Sequence, residues 1–131
     1  MQRFYFPVAV NGGVTYQNTS PSFSGEISQI RWQHDADTGQ VATFEISLHP
    51  ETGDTGTGFA VYQGASGNVA ASFIKSPRQF THNVDGSAAD TGEPEAPFVA
   101  HGDHLQVKVV PADTGVVIDG KLFVWASQPT A

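Results

Sequence analysis

Two runs near the C-terminus constrain the fold more than any other stretch of the chain. Residues 103–111 read DHLQVKVVP and residues 119–126 read DGKLFVWA. In the first run Leu105, Val107 and Val109 fall on one parity, and His104, Gln106 and Lys108 on the other. In the second, Leu122, Val124 and Ala126 oppose Lys121, Phe123 and Trp125. Side chains of a strand alternate between faces with a period of two, so both runs specify half-buried strands. Their β-branched and aromatic content fits that geometry. The link between them contains Pro, Asp and Gly, which predicts a hairpin. That hairpin is the expected spine of an all-β domain.

The rest of the chain repeats the pattern in shorter pieces. From Arg3 to Val10, Phe4, Phe6, Val8 and Val10 point one way. Pro7 sits on the other parity, and a residue without a donor belongs on an edge strand. Asn11-Gly12-Gly13 is a turn signal, followed by a short strand over Val14 to Gln17 that Thr19-Ser20-Pro21 ends. Gly25 to His34 reads as a strand whose apolar parity switches between Ile27 and Ile30, predicting a β-bulge near Ser28-Gln29. Ala42, Phe44, Ile46 and Leu48 define a core face, with Thr43, Glu45, Ser47 and His49 on a wet one. Shorter strands are expected at Phe59 to Gln63 and Val69 to Lys75, with loops over Pro50 to Gly58 and Gly64 to Asn68. Residues 76–97 show no sustained period and read as a long irregular link. About eight short strands with little or no helix predict a single antiparallel β-sandwich over residues 1–131, jelly-roll-like in character.

Composition narrows the function. A chain of 131 residues with 39% hydrophobic content supports one core. It has no cysteine, so disulfides and thiolate metal sites are excluded. A formal charge of −7 opposes a polyanionic partner such as nucleic acid. No apolar run reaches the roughly 18 residues that span a bilayer as a helix, and the opening MQRFYFPVAV reads as a first strand, not as a signal peptide.

No catalytic motif withstands its context. Asp-Thr-Gly occurs at Asp37, Asp54, Asp90 and Asp113. An aspartic protease would need such a turn directly after a hydrophobic strand, with two carboxylates sharing a proton. The flanking residues here are mostly polar or glycine, so the motif reads as turn chemistry. His101-Gly102-Asp103-His104 offers three metal-ligating types, but Asp103 and His104 face opposite sides of a strand. The acidic pairs Asp35/Asp37 and Glu51/Asp54 suit calcium in donor type and lack its loop spacing. No Gly-x-Ser-x-Gly elbow occurs, and Gly53, Gly56 and Gly58 precede no helix that would make a phosphate cradle. Trp32, Tyr62 and Trp125 are candidates for a sugar-stacking platform, against the alternative of core or subunit contacts.

The order of motifs resembles small virion proteins of tailed bacteriophages, of the head-decoration or capsid-cement type. The resemblance is carried by RFYFPVAV, by GEISQIRW at residues 25–32 and by TFEISL with its Thr52-Gly53 turn. It continues through Ser76-Pro77-Arg78 to Val84-Asp85-Gly86, and on to HLQVKVV and the ending GKLFVW. Residues 90–97 fit it least. What it implies is a structural protein of the outer capsid surface, assembled in the host cytoplasm. Such a protein binds the major capsid protein and itself, and needs no cofactor, metal or catalytic residue; the excess of aromatics over what one small core absorbs favours a homotrimer. The other class kept open is a carbohydrate- or receptor-binding module of a phage fibre or tail.

Candidate partner contacts follow from residue type. Arg78 and Phe80 in the long link, with Phe98 just beyond it, are the kinds of side chain that anchor interfaces, and the link is expected to act as an attachment arm. Phe123 and Trp125 lie on the parity opposite the core and are expected at a self-contact.

Overall fold

The computed structural model describes residues 2–35, 41–50, 58–63, 67–68, 72–80, 95–112, 114–115 and 117–127. Among them the chain forms eleven strands and no helix. These are β1 (Gln2–Val10), β2 (Tyr16–Thr19), β3 (Phe23–His34), β4 (Val41–His49), β5 (Phe59–Gln63) and β6 (Gly67–Asn68). They continue as β7 (Phe73–Lys75), β8 (Arg78–Phe80), β9 (Glu95–Pro97), β10 (Val99–Pro111) and β11 (Ile118–Ser127). The main path of hydrogen-bonded neighbours runs β1-β11-β3-β10-β4-β5, with β2 beside β10, β6 beside β4 and β7 beside β3. Every described ladder is antiparallel. The fold is therefore all-β, and its ladder order is compatible with a sandwich or jelly roll.

β10 is the strand that joins the two halves. Its first part, Val99 to Asp103, pairs with Phe23 to Glu26 of β3. Its second part, His104 to Pro111, pairs with β4 on one edge, and Gln106 to Val109 with β2 on the other. The register shifts between His101 and Asp103, where Gly102 has φ of 74°. A left-handed residue inserted into a ladder makes a bulge that bends the strand, and glycine adopts that φ without a Cβ penalty. Hydrogen bonds hold this bend: Gly102 N–H donates to Ser24 Oγ (2.9 Å), Ser22 Oγ donates to the Gly102 carbonyl (2.8 Å) and His101 N–H donates to Asp103 Oδ2 (2.7 Å).

Burial follows the alternation. Phe4, Phe6 and Val8 of β1, Leu122 and Val124 of β11, and Ile27, Ile30 and Trp32 of β3 join Phe44, Ile46 and Leu48 of β4 and Leu105, Val107 and Val109 of β10 in one core. Trp32 meets Phe44 edge-on at 5.2 Å, although β3 and β4 share no ladder, so this contact closes the core between the two halves. The expected bulge in β3 is present: Trp125 pairs with Gln29 and Ala126 with Ile27, leaving Ser28 as the extra residue. Ser28 Oγ donates to the Trp125 carbonyl at 3.2 Å. The edge position expected of β1 from Pro7 also holds, since β1 ends the strand order with β11 as its partner.

Several expectations are corrected. β10 and β11 form no hairpin, because β3 lies between them. Alternation fixes which face a strand buries but not which neighbour it takes, and β11 slots between β1 and β3 in a register that lines up three sets of inward side chains. The second strand begins at Tyr16, two residues later than the apolar Val14, which is exposed. His49, expected on the wet face, is buried, with its Nε2 2.9 Å from Ser47 Oγ. Within the long link, expected to be irregular, β8 pairs with β9 through Arg78↔Pro97 and Phe80↔Glu95. The Asp-Thr-Gly aspartates Asp37, Asp54, Asp90 and Asp113 lie outside the described residues.

Ser20 pins the end of β2 to β10. Its N–H donates to the Leu105 carbonyl (2.8 Å), while its Oγ accepts from Leu105 N–H (2.9 Å) and donates to the Pro21 carbonyl (2.9 Å). Ser20 is itself buried, so Ser20→Ala would strand the Leu105 donor away from water. The expected loss is about 1–3 kcal/mol in denaturant unfolding, the desolvation cost of a buried unpaired donor. Unchanged stability would mean that water reaches the Leu105 amide.

Candidate interaction face

The outer face of β1, β11 and β3 carries a second layer of large side chains that the core does not use. Register places them in cross-strand rows. Tyr5 of β1 lies opposite Phe123 of β11, Phe123 opposite Arg31 of β3, and Arg31 opposite Ile74 of β7. The next row is Arg3, Trp125 and Gln29, and the row on the other side is Pro7, Lys121 and Gln33. Tyr5 and Phe123 stack with centroids 5.1 Å apart and planes 21° from parallel. Phe123 and Trp125, two residues apart on one strand, are tilted at 5.6 Å.

Both arginines lie on this aromatic ladder. Diagonal neighbours on a sheet are within reach of long side chains. Accordingly the Arg3 guanidinium sits 5.2 Å from the Phe123 centroid, and that of Arg31 sits 5.2 Å from the Trp125 centroid. Each such contact contributes about 0.5–1 kcal/mol at an exposed site. Arg31 is fixed further by its Nε, which donates to Gln29 Oε1 at 2.8 Å. The interactions described for the two guanidiniums are with rings and Gln29, none with a carboxylate.

Beside the ladder lies an open cleft of about 600 Å³, lined by Arg3, Arg31, Phe73, Ile74, Phe123 and Trp125 among others. Tyr5 and Ile74 are exposed, at 47% and 57%, and Phe123 and Trp125 are half-buried. Phe123 and Trp125 thus stand on one outward face as expected from their parity. Phe98 does not join them. It packs partly against the core, its carbonyl accepts from Ile27 N–H (2.9 Å), and it lines a separate cleft of about 530 Å³ with Phe59 and Val99. Arg78 and Phe80 lie in β8, with their side chains outside what is described.

The proposed sugar platform is not assembled. Trp32 is buried at 1% exposure, and Tyr62 packs partly against the core with its ring 6.0 Å from that of Phe73. Burial pushes the Tyr62 phenol above its usual pKa, so it stays neutral in ordinary solution. The rings that do lie outside are faced on one side by guanidiniums or by each other. Among the described residues no group of three His, Cys, Asp or Glu converges as metal ligands. Within the 101–104 segment, Asp103 is engaged with the His101 amide, and His104 Nδ1 lies 3.0 Å from the Ser20 carbonyl.

Sequence reasoning singled out Phe123 and Trp125 and missed Tyr5, Arg3 and Arg31. The signal was the matching parity of three strands, which becomes a surface only when β11 is placed between β1 and β3.

Comparison of the chain with known protein families, with curated proteins and with solved structures found no match.

Proposed function

We propose that the protein is a non-catalytic structural component of a virion, one that decorates a bacteriophage capsid by oligomerising and binding the major capsid protein lattice. The observation that supports this reading best is the second aromatic layer, Tyr5, Phe123 and Trp125 with Arg3 and Arg31, laid outside a core that is already complete. Aromatic and arginine side chains held rigid on a sheet are the residue types that dominate protein–protein contacts. A trimer seated on the outer surface of the shell is the favoured form, and a net charge of −7 suits that side better than the DNA-filled interior.

The test is made on particles. The chain should be present in purified virions in a number comparable to that of capsid subunits, and it should rebind to undecorated particles. Phe123→Ser combined with Trp125→Ser should lower occupancy at least tenfold, equivalent to about 1.4 kcal/mol. A handful of copies per particle would point to a fibre or tail component and sink the decoration reading.

A further inference from the structure

We infer that Asn11 is a site of spontaneous covalent modification, at which the Gly12 amide attacks the Asn11 side chain and converts it to an aspartyl or β-aspartyl residue. The reaction consumes only solvent water, and it is independent of whether the chain belongs to a virion.

Turn geometry carries the argument. Asn11 and Gly12 are exposed between β1 and β2. Gly12 and Gly13 have φ of 67° and 77°, and Val14 N–H donates to the Asn11 carbonyl at 3.3 Å. Positive φ at both central residues, closed by a bond from the fourth residue to the first, is the pattern of a type I′ turn. That bond uses the Val14 amide and not the Gly12 amide, which is the attacking group. A side chain on residue 12 would crowd the attack, and glycine has none. A Cβ built at Gly12 meets no atom within 4 Å, so the surroundings leave room for the five-membered imide. The same chemistry is hindered elsewhere. Of the asparagines Asn11, Asn18, Asn68 and Asn83, only Asn11 is followed by glycine. Asn18 lies within β2 and precedes the β-branched Thr19. Asp119-Gly120 lies inside β11, held by ladders on both edges, with Gly120 buried against Trp32.

The step balances without an oxidant, reductant or cofactor. The Gly12 nitrogen gives up its proton and bonds to Asn11 Cγ. The Cγ–Nδ2 bond breaks and ammonia leaves, closing a succinimide. Water then opens the ring. Addition at Cγ leaves an aspartate in an unaltered main chain. Addition at the former main-chain carbonyl gives the β-aspartyl form, in which the chain runs through Cγ and that carbonyl becomes a free carboxylate. Either product adds one negative charge to a chain of formal charge −7. The β-aspartyl form also lengthens the main chain by one carbon and moves the acceptor of the Val14 N–H bond off it. The turn connects β1, which pairs with β11, to β2, which pairs with the second part of β10. The change therefore falls on a link between the two halves of the molecule.

The full-length chain should be held at physiological temperature in neutral and in mildly alkaline buffer, with circular dichroism as a check on folding. Peptide mass mapping locates each amide that becomes an acid, and an isoaspartyl methyltransferase assay reports the β-aspartyl form. In the folded chain Asn11 should convert ahead of Asn18, Asn68 and Asn83. Its rate should rise with pH, because the attacking nitrogen must lose its proton, and the β-aspartyl form should be the larger product. Asn11→Gln should slow conversion at this position at least tenfold, equivalent to about 1.4 kcal/mol in the barrier, because a six-membered imide closes less readily. Gly12→Ala should slow it too by crowding the amide, but a Cβ at φ of 67° strains the turn, so Asn11→Gln is the variant that leaves the turn backbone alone. An Asn11 that stays intact in the folded chain while the denatured chain converts would show that the fold protects it, and would overturn the inference. So would another asparagine converting first in the folded chain, or a glutamine variant that converts as fast as the parent. Aspartate as the sole product, at a rate indifferent to pH, would replace the imide route by direct hydrolysis and also sink the inference.

Discussion

Trp32→Ala is expected to destabilise the protein by about 3–5 kcal/mol, whereas Trp125→Ala should cost less than about 2 kcal/mol. These are the only two tryptophans in the chain, and their sequence contexts look alike. Their positions differ in kind. Trp32 is 1% exposed, touches Phe44 across the core and is packed against the backbone of β11 at Gly120. Its removal leaves a cavity where the two halves of the molecule meet. Trp125 is half-buried on the outer face, and what it loses is a tilted contact with Phe123 and the guanidinium of Arg31. Urea unfolding of the two variants should separate them by midpoint. Each variant also leaves a single tryptophan as reporter. The emission of Trp32, seen alone in Trp125→Ala, should be blue-shifted and resistant to acrylamide, and that of Trp125 quenchable. The cost of Trp125→Ala should appear instead in self-association and particle occupancy. Equal stability losses would mean that the outer layer is part of the folding core and not a surface kept for a partner.

What was legible in the sequence was the face of each strand. The parities of Leu105, Val107 and Val109, of Leu122 and Val124, and of Phe4, Phe6 and Val8 all match their burial. The bulge in β3 was legible for the same reason, since an unpaired residue is the simplest way to carry two apolar parities in one strand. Partner choice was not legible. The link after Pro111 looks like a hairpin turn, yet β3, from far upstream in the chain, takes the place beside β11. Local turn chemistry competes there with the register of three inward faces, and the faces prevail. His49 shows the other limit. Alternation put it on the wet face, but its place opposite His104 and beside Ser47 and Gly58 buries it.

The candidate face was half legible. Phe123 and Trp125 had no inward role, so their outward position followed from parity. Arg3 and Arg31 are separated by most of β1, the second strand and the intervening turns, and nothing local ties them together. They become one feature through two ladders, β1 with β11 and β11 with β3, and through diagonal contacts that skip one residue of register. Of the two roles weighed for Trp32, a surface platform and a core contact, burial gives the core, and the bulge at Ser28 sets that parity. Trp32 shares its inward side with Ile30, two residues before it, and Ile30 was the better guide.

Gly120→Ala should cost about 1–3 kcal/mol, and part of that cost should vanish when Trp32 is shortened to Phe. Gly120 lies on the inner face of β11, opposite His34 of β3 and Val8 of β1, and is buried. A Cβ placed there would stand 2.6 Å from Trp32 Cζ2, closer still to Cη2, and 2.6 Å from the Gln33 carbonyl oxygen. The glycine is therefore explained by space: it lets the indole lie flat over the strand backbone. Trp32→Phe removes the outer ring atoms that crowd the new methyl but leaves the Gln33 carbonyl, which belongs to the ladder and cannot swing away. A double-mutant cycle should thus give a favourable coupling of at least about 0.5 kcal/mol between the two substitutions, without complete rescue. Chemical denaturation of the four proteins of the cycle measures it. Strict additivity would place the whole strain on the Gln33 carbonyl and would mean that Trp32 moves aside freely, which in turn would contradict the tight core that the Trp32→Ala result requires.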